Sequence, residues 1–387
     1  MKKILSLGLC LALVLWLPSC TKKALQVTEP LATEPQATEP QAPEPPADEP
    51  QKEVITDEVR ANLNTIMEDA NYQGIAYLTH NGKVVYEYAA GTNDIGEPLT
   101  TDSPMYLCSI SKQFCAAAIL MLRDQGKLSL DDTLEKYFPE YTIGKDITLK
   151  NLLCMRSGIV RDFDISIIPE DCTFENAIVL YKDWLFTQKL NFEPNTNWEY
   201  SNNNYRLLSL VVEHVSGQPF EDYVHQNIFE PLGMTHSGFL SEIQNNPQWG
   251  LTEENLYDQG TRGLLSAIGA GSIVSTAEDM DIWMTALPSG KLISRESYEE
   301  MTSDHSQGQC PEAPYGYGYG LMGWLRSGWA HSGGNLGYSS WMYFNEEYGY
   351  NLFIISGKTP AYQLNYTYNV FVPLLNAVFV AESQAGN

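Results

Sequence analysis

Gly74-Ile-Ala-Tyr-Leu-Thr-His80, Asn81-Gly82 and Lys83-Val-Val-Tyr-Glu-Tyr88 follow one another in the chain. Apolar residues alternate on both sides of an Asn-Gly pair, the dipeptide that most readily takes the positive φ angles of a tight turn, so the stretch reads as a β-hairpin. Strand patterns return only near the other end of the chain. Gly271 to Ser275 leads into a helix from Thr276 through Leu287, and Gly318 to Trp324 precedes Trp329 to Gly334. Tyr338 to Phe344 and Asn351 to Ser356 then read as two more strands, and Tyr366 to Val380 as a closing helix. Helical apolar stripes occupy the rest: one near Asp57 to Ala70 before the hairpin, one closing at Gln125-Gly126, and Thr148 to Met155, Phe174 to Gln188, Tyr205 to Ser216 and Phe220 to Phe229. Strands at both ends with helices between them predict an α+β fold, an αβα sandwich. Its one antiparallel sheet is built from both ends of the chain and flanked by helices, with a mostly helical lobe inserted at about residues 133–265.

The 387 residues, 43% hydrophobic and 18% charged, suffice for a large core. The net charge of −25 and the lack of a basic stripe exclude nucleic acid as a partner. Met1-Lys-Lys3 and the apolar run Ile4 to Leu17 have the form of an export signal, too short to span a bilayer comfortably. Residues 28–50 repeat Glu-Pro every five residues, from Thr28-Glu-Pro30 to Asp48-Glu-Pro50. Proline fixes φ and the glutamates repel one another, so this is an extended tether, reaching on the order of 70 Å at roughly 3.1 Å per residue. Three segments result: an export signal over 1–19, a Pro/Glu-rich tether over 20–53 and a folded domain over 54–387.

Ser109 and Lys112 stand three residues apart in Leu107-Cys-Ser-Ile-Ser-Lys112, at the opening of a long apolar helix pattern. A helix puts i and i+3 on one face, where an amine can take the proton that keeps a serine hydroxyl a weak nucleophile. That requires a lysine whose pKa is lowered in a partly enclosed pocket. A chain of this length contains about one S-x-x-K by chance, so the pair gains meaning only from its company. Tyr200 and Asn202 lie in Trp198-Glu-Tyr-Ser-Asn202, a loop before the helix that begins near Tyr205; a tyrosine beside an ammonium can exist partly as phenolate and act as a base. His331, Ser332, Gly333 and Gly334 lead into a strand, where glycines admit close backbone approach and an edge N–H can face an oxyanion. Tyr343-Phe-Asn345 and Lys358-Thr-Pro360 copy fragments of such motifs at the wrong places.

Cys108, Cys115, Cys154, Cys172 and Cys310 form an odd set in the folded part, and Cys108 and Cys115 are two helical turns apart, too far for a disulfide. Neither C-x-x-C nor H-E-x-x-H spacing occurs, so no metal and no cofactor are expected.

In order and type, Ser109-x-x-Lys112, Tyr200-x-Asn202 and His331-x-Gly333 resemble the serine β-lactamase and penicillin-binding-protein superfamily. The branch is that of class C β-lactamases, D-Ala-D-Ala carboxypeptidases, D-aminopeptidases and related esterases. Ile147 to Leu153 with Ser157-Gly158, Ile228 to Met234 and Ala270 to Asp279 are similar to family segments too. Leu17-Pro-Ser-Cys20 resembles the lipobox of bacterial lipoproteins, which implies lipidation of Cys20 and attachment of an exported protein to a bacterial membrane, facing the periplasm or the exterior. Cleavage there would remove Lys2 and Lys3 and take the formal charge from −25 to −27.

The resemblance implies that Ser109 attacks an acyl carbonyl while Lys112 and Tyr200 share the proton transfers. Asn202 positions the substrate amide, and the N–H groups of Ser109 and Gly334 hold the oxyanion. His331, with Ser332 and Gly333 beside it, stands where lactamases usually carry lysine; it shuttles a proton or, protonated, binds a substrate carboxylate. The implied partner is a peptidoglycan stem peptide, a small ester or a β-lactam. The histidine favours a D-Ala-D-Ala carboxypeptidase, D-peptidase or esterase over a β-lactamase; a non-catalytic penicillin-binding or cell-wall-binding protein is a third reading. Cys154-Met-Arg156 replaces a stretch that is often histidine-rich in the family.

Overall fold

The computed structural model describes residues 54–385, apart from 94, 244–259, 336 and 360–363. The export signal, Cys20, the tether and Pro360 of the Lys358-Thr-Pro360 stretch lie outside the described residues. The strands are β1 (Gly74–His80), β2 (Lys83–Ala90), β3 (Met105–Tyr106), β4 (Gly238–Phe239), β5 (Ile273–Ser275), β6 (Met322–Gly323), β7 (Trp329–Asn335), β8 (Gly337–Asn345) and β9 (Tyr350–Thr359).

Asn81 and Gly82 take φ angles of 49° and 71°, as the hairpin requires, and β1 and β2 pair from Gly74↔Ala90 to His80↔Lys83. On its other edge β1 pairs with β9, Ala76 opposite Ile354, so the early hairpin and the late strands form one antiparallel sheet of order β2-β1-β9-β8-β7-β6. The short β3, β5 and β4 make a second sheet, to which the helical lobe contributes β4.

Both faces of the large sheet are covered, which is why β1 is buried along nearly its whole length. Ile75, Met342, Phe353 and Ile355 share one core with helix α2 (Lys112–Asp124); Ala76, Leu78, Trp341 and Ile354 share another with α1 (Asp57–Asp69) and the closing helix Leu364–Ala385. This is the expected αβα sandwich. Helix α2 is buried from Lys112 through Leu122, apolar on every side because it runs between the sheet and the helical lobe. The lobe includes α3 (Leu149–Leu153), capped by Thr148 and Asn151, then α4 (Phe174–Leu185) and α5 (Asn202–Ser216).

Two boundaries differ from the sequence reading. Helix α5 starts at Asn202 instead of near Tyr205, because the polar run Asn202-Asn-Asn204 forms its first turn and carries no apolar period. Gly318 to Trp324 supplies only the two-residue β6. A Cβ at Gly318 would lie 2.1 Å from Met301 O, so glycine serves close packing there.

Candidate active site

From β3 the chain passes through a 3₁₀ turn, Cys108–Ser111, before α2 begins at Lys112, so Ser109 sits ahead of the α-helix the sequence placed it on. Cys108 has φ 53°, a left-handed conformation uncommon outside glycine. The reversal leaves Ser109 half-buried while Cys108, Ile110 and Ser111 are buried. Cys108 packs as expected, and burial holds its thiol pKa up, which makes it unreactive.

Lys112 is fully buried. Its Nζ lies 3.1 Å from Ser109 Oγ and 2.6 Å from Ala270 O, which accepts a hydrogen bond. Desolvation, aided by the guanidinium of Arg206, lowers its pKa well below the ordinary 10.5. Tyr200, in the loop before α5, hydrogen-bonds to Ser109, and Lys112 Nζ is 4.9 Å from its ring centroid. Burial raises the Tyr200 pKa above its ordinary 10.0. The phenolate expected from the sequence is therefore corrected: desolvation outweighs the nearby cations, and the group is a neutral phenol.

Asn202 is half-buried at the start of α5. Its Nδ2 donates to Asp162 Oδ1 at 2.9 Å. His331, on β7, has its ring centroid 6.4 Å from that of Tyr200. Its Nδ1 is 2.6 Å from Ser332 O, which can only accept, so Nδ1 carries the proton and Nε2 faces Tyr317 Oη at 3.5 Å. Burial drives its pKa down to about 3. A buried, neutral imidazole cannot offer the positive charge for a substrate carboxylate that the sequence reading allowed it. Gly333 lets β7 close on the serine turn: a Cβ there would sit 2.1 Å from Leu107 O and 2.4 Å from Ser340 Oγ.

Ser109, Asn202 and Gly334 line one cavity of about 330 Å³, with Asp162, Phe163, Arg206 and others, of a size that suits a small acyl group. Tyr343 and Asn345, the look-alike of Tyr200-x-Asn202, bond instead to Leu325 O and Arg326 O.

Several residues of the site escaped the sequence. Arg206 is buried on α5, donating to Asn203 Oδ1, Ser266 O and Asp162 Oδ1; its one signal was a cation in the apolar stripe, four residues after Asn202. Arg161 and Asp162 sit in a loop with no period to mark them, and the acceptor for Lys112 is a backbone carbonyl. Arg156, buried among neutral acceptors, donates to Asn195 O and Oδ1, Ser306 O and Gln309 Oε1. It thereby ties down the loop that leads to Tyr200, in which Asn195 takes φ 66°.

A family model described as Beta-lactamase matches residues 59–370. The Bacillus subtilis (strain 168) protein named "Putative penicillin-binding protein PbpX" is 31% identical over 280 residues, 70% of this chain and 67% of its own length. Among solved structures, D-amino acid amidase from Ochrobactrum anthropi SV3 superposes with a TM-score of 0.68 at 24% identity, covering 85% of this chain and 100% of that one. The penicillin binding protein from Bacillus halodurans gives 0.66 at 23%, covering 81% and 99%. At such identities the two structures establish a shared fold.

Proposed function

This chain belongs to the beta-lactamase family of serine hydrolases, and on that premise we propose that it forms an acyl-enzyme at Ser109 and hydrolyses a D-amino-acid peptide or a small ester. The observation that carries the reading is the fully buried Lys112 amine 3.1 Å from Ser109 Oγ. Burial holds its pKa well below the ordinary 10.5, so it sheds its proton far more readily than a free lysine, and its lone pair accepts the serine proton as Oγ bonds to the substrate carbonyl carbon. The N–H groups of Ser109 and Gly334 hold the oxyanion. Tyr200, a phenol bonded to Ser109, protonates the departing nitrogen or oxygen and recovers its proton from Lys112. Water then attacks the ester along the reverse path. Asn202 orients the substrate amide. His331 is neutral, so it orients rather than attracts, which ranks β-lactam hydrolysis below peptide or ester hydrolysis.

The same proposal places the enzyme outside the cytoplasm, lipid-anchored through Cys20 and held off the membrane by the Glu-Pro tether; the sequence of residues 1–53 is its support. Incubating the protein with a fluorophosphonate, a D-Ala-D-Ala peptide, a p-nitrophenyl ester and nitrocefin tests the chemistry. Expected are a mass adduct on Ser109 that Ser109→Ala abolishes, and turnover of peptide or ester. Nitrocefin turnover without the others would make it a β-lactamase, and no adduct on folded protein a non-catalytic binder.

A further inference from the structure

Arg161 is the cation of this site that water can reach. Its side chain is 59% exposed, and its guanidinium carbon lies 5.0 Å from the centroid of the Tyr200 ring. Its backbone carbonyl accepts the N–H groups of Asn202 and Asn203, so the loop is fastened to the first turn of α5, next to Tyr200. Among the described residues the one carboxylate within 4.0 Å of it is its neighbour Asp162, with Nε 3.6 Å from Oδ2. Asp162 is already engaged: its Oδ1 accepts Asn202 Nδ2 at 2.9 Å and Arg206 Nη2 at 3.2 Å. Two guanidiniums around one carboxylate leave a net positive charge beside the cavity, with Arg161 as its open face. Glu312, an exposed carboxylate whose charge reaches Tyr200, makes no ion pair with it.

The other basic groups cannot meet an anionic substrate. Lys112 is buried against Ala270 O, and Arg206 has 3% of its side chain exposed, with Nε, Nη1 and Nη2 all bonded to protein acceptors. His331 is buried with its Nδ1–H held by Ser332 O.

In the acyl-enzyme reading the leaving atom departs at Tyr200, which protonates it, so the rest of the leaving group lies against whatever covers the Tyr200 ring. We propose that Arg161 binds a carboxylate on the leaving group, and that the substrates are therefore peptides whose last residue, with a free α-carboxylate, is released. The planar guanidinium fork fits a carboxylate through two parallel hydrogen bonds. In the step itself the Ser109 Oγ–C bond forms as Lys112 takes the hydroxyl proton, and the C–N bond then breaks as the oxyanion collapses and Tyr200 protonates the nitrogen, which leaves as the amine of a free amino acid. This inference rests on the acyl-enzyme reading.

The test compares wild-type protein with Arg161→Gln and Arg161→Lys on an acylated D-Ala-D-Ala peptide and its C-terminal carboxamide. A p-nitrophenyl acetate burst counts competent active sites in each sample. The wild type should prefer the acid over the carboxamide by roughly tenfold to hundredfold in kcat/KM, the range of one charge-assisted bond. Arg161→Gln should bring that ratio close to one, and Arg161→Lys should restore part of it. A wild-type ratio near one, a ratio that Arg161→Gln leaves in place, or a burst without cleavage of either peptide would overturn the assignment while the acyl-enzyme reading stands. Absence of a burst in the wild type would overturn both.

Discussion

Lys112 and Tyr200 are both removed from water, and burial disfavours whichever form of a group is charged, so the same physical cause lowers the lysine pKa and raises the tyrosine pKa, as the proposed base and acid roles require. Ser109 touches both. A neutral amine inside a protein is costly, because the unfolded chain holds that proton up to the ordinary pKa of 10.5 and the folded one releases it well below. Between those two values the unfolded state binds more protons, so wild-type stability rises with pH across that window. Lys112→Met, close in volume, should lower acylation at least about a thousandfold. It should also raise the melting temperature at pH 7, despite leaving Ala270 O without its donor, with the gap over wild type narrowing toward pH 10. Thermal unfolding of both proteins at the two pH values measures it. A variant less stable than wild type by the same margin at both would show that Lys112 is not neutral in the fold.

Strand β7 and the serine turn form a tighter unit than either motif suggests alone. Gly333 admits Leu107 O where a side chain would stand, and Ser340 Oγ donates to that same carbonyl at 2.9 Å. Gly333→Ala must therefore push β7 off the turn and misplace the Gly334 amide. Acylation should fall about a hundredfold, the scale of a lost oxyanion donor. Gly82→Ala is the contrast, since no atom lies within 4 Å of its Cβ; it should cost about 1 kcal/mol of left-handed strain and spare the acylation rate. Equal rates of Ser109 adduct formation in the two variants would refute the argument. The same elements show what could be read in advance. Ser109, Lys112, Tyr200 and His331 were legible because each is polar at the edge of a patterned segment. The 3₁₀ turn and the left-handed Cys108 were not, because nothing in Leu107-Cys-Ser distinguishes them from a helix start. Arg156 and Arg161 were missed because their roles come from loops brought together across the fold, 39 residues separating Arg156 from Asn195.

At the scale of the molecule, the sheet takes β1 and β2 from one end of the chain and β6 to β9 from the other, so the site's frame exists only once distant segments have met. The apolar strand patterns at both ends of the chain disclosed this architecture, and β1 is apolar on both faces because the sheet is covered on both sides; the order of strands followed from pairing, which no local pattern encodes. Ile354 stands where the two ends join: on β9 it lies between Ala76 of β1 and Trp341 of β8, fully buried beneath the closing helix. Truncating it opens a cavity in that layer while leaving every group of the site in place. Ile354→Ala should therefore cost about 2–5 kcal/mol of stability, with far-UV circular dichroism and tryptophan fluorescence shifting together in urea. The rate of Ser109 acylation per titrated site should stay at the wild-type value. A variant that keeps its unfolding midpoint but acylates slowly would mean that this junction tunes the site directly, and that the sheet does more than hold it.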